Sequence, residues 1–198
     1  MLIERRPKVV DIWEQWPILD LARTVELAAE FGARHTNDDG RLEPFTIDFM
    51  VTEQVGSGLV VHAESVKTPE DAARESVQRR LHVESAWCEE NGIEWTLINT
   101  EKFNKQLLSN LRFIRGWFRN RMAETDRAGP LVSRFTDTFL SRYDRTLMLS
   151  ELIAGTASSL RMARSRATDL FLYCAWVDSI KIDIRAALSL DSPLALRG

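Results

Sequence analysis

The 198-residue chain holds only two cysteines and three histidines. Cys88 and Cys174 lie far apart, with no C-x-x-C pair and no histidine at ligand spacing, which excludes a disulfide framework and a zinc finger. Such thiol poverty suits a reducing compartment, and a cytoplasmic location is expected. Long apolar runs are also missing. The longest uncharged apolar stretch, Leu170 to Val177, is far too short to span a bilayer, and Met1-Leu-Ile-Glu-Arg-Arg-Pro7 puts charges where a secretion signal needs apolar residues. No membrane partner is expected. Internal repeats and low-complexity tracts are absent as well.

What is present is a 44% hydrophobic composition, enough for one good core or two small ones, and a net charge of −3 that hides an asymmetry. Residues 1–100 carry 10 basic and 19 acidic side chains, whereas the remainder carries 16 basic and 10 acidic. Between Arg112 and Arg166 there are 11 arginines and no lysine. The planar arginine fork suits bidentate contact with phosphate or with carboxylates of a partner protein, although arginines on a helical surface also form ordinary intrahelical ion pairs.

Alternation predicts a strand over Val9 to Leu19, stopped near Pro17, followed by a short helix or loop over Thr24 to Phe31. After the turn-rich Asn37-Asp-Asp-Gly40, Phe45 to Lys67 reads as a β-hairpin closed at Gly56-Ser-Gly58. Thr68-Pro-Glu-Asp opens a helix predicted to run from Pro69 to Glu90, and Asn91-Gly92 stops it before a strand over Ile93 to Ile98. This order implies an α/β core. Beyond a boundary near Thr100 the texture is mainly helical, with helical spacing over Phe103, Leu107, Leu111, Ile114 and Phe118 and again over Leu131, Phe135, Phe139 and Tyr143. A helix over Ala167 to Val177 and an alternating strand over Ser179 to Ile184 give the order of a winged helix-turn-helix. Residues 1–100 and 101–198 are therefore expected to form two domains.

Asp48 interrupts an apolar strand, where an ionised carboxylate is costly without a compensating partner. Lys67 ends the next strand, so the hairpin should bring the two side chains together. An aspartate and a lysine so placed read either as a structural salt bridge or as half of a phosphodiester-cleaving site. In the latter, a carboxylate holds Mg²⁺ or Mn²⁺ against the phosphate while lysine orients water and offsets developing charge. The tryptophans Trp13, Trp16, Trp87 and Trp95 read as packing residues, and His62 and His82 as structural histidines.

Five segments carry a family resemblance in order. Val10-Asp-Ile-Trp-Glu-Gln-Trp-Pro-Ile-Leu19 resembles the V-x-D-I-R-E-Q-F-P-L-L segment of TnsA endonucleases, and Thr46-Ile-Asp-Phe-Met-Val51 their T-D-F-L-V strand. Ala63-Glu-Ser-Val-Lys67 is similar to A-x-Q-V-K, the helix around Glu84-Ser-Ala-Trp-Cys-Glu-Glu90 to L-E-R-R-Y-W, and Gly92 to Glu101 to I-P-W-F-I-F-T-D-K-E. The resemblance implies a restriction-endonuclease-like mixed sheet flanked by helices, then a winged-helix-like domain. It implies that Asp48 binds the metal and Lys67 is catalytic, with Glu84 a supporting acid and Gln15 near the site. It also implies transposon-end DNA as substrate, cut at the 5′ ends beside a TnsB-type transposase and a TnsC-type ATPase. Arg161, Arg164 and Arg166 are the candidates for contact with DNA or the ATPase.

Two departures stand out. Ser65 occupies the metal-ligand position that is glutamine in the family and glutamate in wider nucleases, while Glu64 should face the other side of the strand. The family's first catalytic glutamate would fall before Met1, and Glu4 aligns two turns too late, so the expectation is either a start codon further upstream or a nuclease-fold scaffold that no longer cuts.

Overall fold

The computed structural model describes residues 2–35, 37–38, 41–127 and 129–197. They form two compact units, one spanning Arg6–Lys102 and the other joining the residues up to Arg5 to those from Phe103 onward. The elements of the first unit are β1 (Val9–Pro17), α1 (Leu21–Phe31), the short pair β2 (Asn37–Asp38) and β3 (Arg41–Leu42), β4 (Thr46–Val55), β5 (Gly58–Lys67), α2 (Pro69–Ala72), α3 (Glu75–Glu90) and β6 (Glu94–Asn99).

Four strands make one sheet in the order β1-β4-β5-β6, antiparallel at the first two junctions and parallel at the third. The sheet is therefore mixed and flanked by helices, as its alternating segments imply. The β4–β5 hairpin closes where Val55 faces Gly58, and Gly56 takes φ 60°, a left-handed conformation that glycine adopts without steric cost. Helix α1 begins where the Asp20 carboxylate accepts the Arg23 backbone N–H at 3.1 Å and ends at Gly32, also left-handed at φ 64°. Its buried Leu27 and Ala28 pack with Val83 and Cys88 of α3 over Ile47, Met50 and Ala63 of the sheet.

Two local expectations need correction. The helix read over Pro69 to Glu90 is broken, because Arg74 is extended (ψ 126°) between α2 and α3. Thr68 caps a single turn, Arg74 pairs with Asp71 at 3.2 Å, and the chain restarts without any proline or glycine to signal the break. Trp13 and Trp16 are not core residues. They stand 55% and 37% exposed on the edge strand β1 as an edge-to-face pair 5.9 Å apart, while Trp87 and Trp95 do pack against the core. In the Asn37–Gly40 turn, Asp39 and Gly40 lie outside the described residues.

The second unit contains α4 (Lys105–Ile114), α5 (Gly116–Arg119), α6 (Gly129–Ser141), α7 (Leu149–Leu160) and α8 (Arg164–Trp176). Leu111, Ile114, Phe135, Phe139, Ile153, Leu170 and Phe171 are fully buried in its core. Helix α7 escapes the sequence reading because Gly155, Thr156 and its serines blur the apolar stripe. Its start is fixed by Glu151, whose carboxylate accepts the Met148 N–H at 2.9 Å. The strand expected over Ser179 to Ile184 does not form. Ile180 and Ile182 are buried, but the Ile182 N–H turns back to the Ile180 carbonyl at 2.9 Å, which bends the chain out of a continuous ladder. What remains is two isolated antiparallel bridges, Ile182 with Leu196 and Met148 with Pro193. Among the described residues no helix is long and apolar enough to cross a membrane.

Candidate active site

The hairpin delivers Asp48 and Lys67 to one place, as strand pairing implies. Asp48 Oδ2 accepts from Lys67 Nζ at 2.6 Å and from the Val66 backbone N–H at 2.7 Å, and Oδ1 accepts from Gln15 Nε2 at 3.2 Å. Both members of the ion pair remain partly open to solvent. Gln15 reaches across from β1 because its own backbone is left-handed at φ 52°, an irregularity in the edge strand opposite Asp48. Its amide oxygen accepts from the Thr46 hydroxyl at 3.4 Å.

Ser65 is fully buried beneath this pair. Its hydroxyl donates to Glu84 Oε2 at 2.5 Å and accepts from Trp95 Nε1 at 3.2 Å. Glu84, on the buried side of α3, therefore presents the carboxylate at the place where Ser65 itself has none. Burial holds the Glu84 carboxyl above the ordinary carboxylate range, against the opposing pull of the Ser65 hydrogen bond and the Lys67 charge. Thr46, Asp48, Lys67, Val77, Arg80, Leu81 and Glu84 enclose a cavity of about 180 Å³. Its oxygen donors are two carboxylates and a hydroxyl, all hard ligands.

Arg80 is a member of this group that the sequence reading did not select. It lies one helical turn before Glu84, so the i, i+4 relation on α3 carried the signal. Its guanidinium also rests 5.1 Å from the centroid of Phe45. Glu64 faces away from this cavity, as alternation requires, and is buried in a paired carboxylate–arginine contact with Arg6 and a 3.1 Å contact with His62. His82 packs its ring against Phe31.

Residues 6–100 match the family model described as TnsA-like endonuclease N terminal. The match spans nearly all of this unit, which is similar to a TnsA-like endonuclease domain. Its mixed sheet and flanking helices accord with a restriction-endonuclease-like α/β fold, followed in the chain by a helical region. No curated protein sequence matches the chain.

The arginines singled out for DNA or a partner lie in the other unit, outside the TnsA-like domain. Arg161 is exposed and left-handed at φ 54°, closing α7. Arg164 is exposed and donates to the Ser150 carbonyl at 3.4 Å. Arg166 is engaged by Asp126 in two bonds of 2.9 and 2.5 Å.

Proposed function

We propose that the chain is the DNA-cutting subunit of a heteromeric transposase, a Mg²⁺- or Mn²⁺-dependent endonuclease that cleaves the 5′ ends of the element. The observation that carries this reading is the Asp48–Lys67 pair sharing one cavity with Glu84 inside a TnsA-like domain. The donor set fits a hard divalent cation. Asp48 and Glu84 bring two carboxylates to the cavity, and Mg²⁺ is commonly held by one or two carboxylates with water and substrate phosphate completing its shell.

Asp48 and Glu84 would hold the cation, which supplies Lewis acidity toward the scissile phosphate when bound. Ser65, the ligand expected from the sequence, would act through Glu84 by fixing its carboxylate. Lys67 is already aimed at Asp48, so a phosphate entering the cavity competes for its ammonium. The ammonium can then orient the attacking water and offset charge on the phosphoryl oxygens. Gln15 keeps Asp48 turned inward.

TnsB-type transposase and TnsC-type ATPase partners, and transposon-end DNA, belong to this same proposal. The second unit supports a winged-helix-like role in three ways: α7 and α8 are joined by three residues, and the bridges from Met148 to Pro193 and from Ile182 to Leu196 lie where a reduced wing would. Most of α8 is buried, so its exposed first turn, with Arg164 and Arg166, is the part open to DNA or the ATPase.

Strand-specific cleavage of labelled transposon-end DNA, with TnsB-type and TnsC-type partners and Mg²⁺ or Mn²⁺, tests the reading. Loss of 5′-end cutting in Asp48→Ala is expected, whereas equal cutting by both proteins would assign the nuclease to a partner. The second reading, a scaffold that assembles the complex without cutting, is favoured by Ser65 standing where the family carries glutamine.

A further inference from the structure

The densest unspent chemistry lies in the unit from Phe103 onward. Trp117, Phe118, Arg119, Arg121, Met122 and Arg127 surround an open cavity of about 450 Å³. The chain turns there through Arg121, held left-handed at φ 53°, a conformation an arginine adopts at a steric cost. Arg127 lays its guanidinium 5.6 Å from the Trp117 ring centroid. Two N–H donors of this lining, Trp117 Nε1 and Arg127 Nε, are enclosed with no hydrogen-bond partner among the described residues. Native proteins rarely leave enclosed donors unpaired, because the lost hydration is not returned. Both atoms sit behind the cavity wall, so the groups open to a ligand are the guanidinium ends and the exposed ring of the lining rather than these two donors.

The charge balance points the same way. Asp126 is engaged by Arg166, and among the described residues no carboxylate pairs with Arg119, Arg121 or Arg127. Arg119 donates to the Arg112 carbonyl at 3.4 Å, and the cavity lining holds three arginines and no acidic residue, a positive charge matched to an oxyanion. Beside them Phe118 is 58% exposed, with Arg115 lying 5.2 Å from its ring centroid. A carboxylate from an acidic peptide would satisfy the arginines and leave the exposed part of this ring, away from Arg115, uncovered. A nucleotide satisfies both, with its phosphate in the forks and its base on the ring.

We propose that this cavity binds one nucleotide unit of single-stranded DNA, the phosphodiester held by Arg119, Arg121 and Arg127 and the unpaired base stacked on Phe118. Duplex DNA keeps its bases in the helical stack and offers no free face to the ring. The choice of DNA as the source of the phosphate rests on the endonuclease reading, whereas the pairing of arginine with phosphate does not.

Fluorescence anisotropy of the full chain with a labelled thymidine oligonucleotide, in EDTA and over a range of salt, tests the proposal without any cutting. Binding tighter than to a duplex of equal length is expected. Arg119→Gln and Arg121→Asn, the latter tolerating the left-handed backbone, should each flatten the slope of log affinity against log salt by about 0.7. Phe118→Ala should weaken binding roughly 5- to 100-fold while Phe118→Trp retains it. Circular dichroism melts identify any variant that fails to fold. Unchanged affinity in these folded variants, a preference for duplex, or equal competition by polyglutamate and by oligonucleotide would overturn the proposal. Because the assay holds no divalent cation, a chain that cuts DNA can still fail it and a chain that does not cut can pass.

Discussion

The Ser65 hydroxyl and the Glu84 carboxylate, 19 residues apart, are joined by a 2.5 Å hydrogen bond that ties the end of β5 to the middle of α3. The bond connects the strand position to which the resemblance assigns a metal ligand to an acid supplied by a helix. Removing the donor strands a buried carboxylate oxygen, so Ser65→Ala should lower stability by about 1 to 3 kcal/mol. It should also slow DNA cutting through displacement of Glu84. Urea unfolding checks the first effect and end cleavage the second. Wild-type stability together with wild-type cutting would leave the hydrogen bond without a role.

Glu84 also makes stability depend on pH with a definite sign. Its folded-state pKa is raised from the ordinary 4.5 by burial, so the folded chain keeps this proton to higher pH than the unfolded chain. Its contribution is fully present below the unfolded value and is lost as pH rises through the raised folded value. In EDTA, the stability of wild type minus that of Glu84→Gln should therefore fall from about pH 4.5 upward and level off above the folded pKa. Denaturant midpoints of the two proteins across that range give the measurement. A difference that is flat or that grows with pH contradicts the burial of this carboxyl.

Asp48 and Lys67 should separate in their effects. Losing Asp48 removes a metal ligand and should cost at least about 10²-fold in cleavage rate, together with a clear loss of Mn²⁺ affinity by calorimetry. Lys67→Ala removes the water-orienting cation but no oxygen donor, so cutting should slow while Mn²⁺ binding is kept or strengthened. Equal loss of Mn²⁺ binding in both variants would mean that the ion pair only shapes the domain.

The parts of the first unit that were legible in the sequence are those fixed by local chemistry. Gly56 and Gly58 closed the hairpin, Asn91-Gly92 ended the helix, and the interrupted apolar strand announced Asp48 and, through hairpin pairing, Lys67. What was not legible depends on tertiary contact. The exposure of Trp13 follows from β1 being an edge strand, a fact of strand order that alternation does not report. Arg80 and the Ser65–Glu84 bond required α3 to be laid against β5. In the second unit, the alternation of Ile180, Ile182 and Ile184 was real, yet it reflects burial of a bent segment rather than a ladder. The donors of Trp117 and Arg127 that find no partner among the described residues have no sequence signature at all.

Trp13 offers a magnitude test of edge placement against core placement. A core tryptophan loses about 3 to 5 kcal/mol on truncation to alanine, because a large ring is replaced by a cavity. At 55% exposure in β1, Trp13 contributes instead through its edge-to-face contact with Trp16, a pairing worth about 0.5 to 1.5 kcal/mol. Trp13→Ala should therefore cost no more than about 1.5 kcal/mol in urea unfolding. Val10 and Trp16 are exposed on the same strand, whose outer edge pairs with no further strand among the described residues and so can offer backbone groups to other chains. Trp13→Lys should accordingly reduce any concentration-dependent self-association seen by analytical ultracentrifugation, since charge on an edge strand opposes strand addition. A loss of 3 kcal/mol or more in Trp13→Ala would place the ring in a packed interior and remove β1 from the edge.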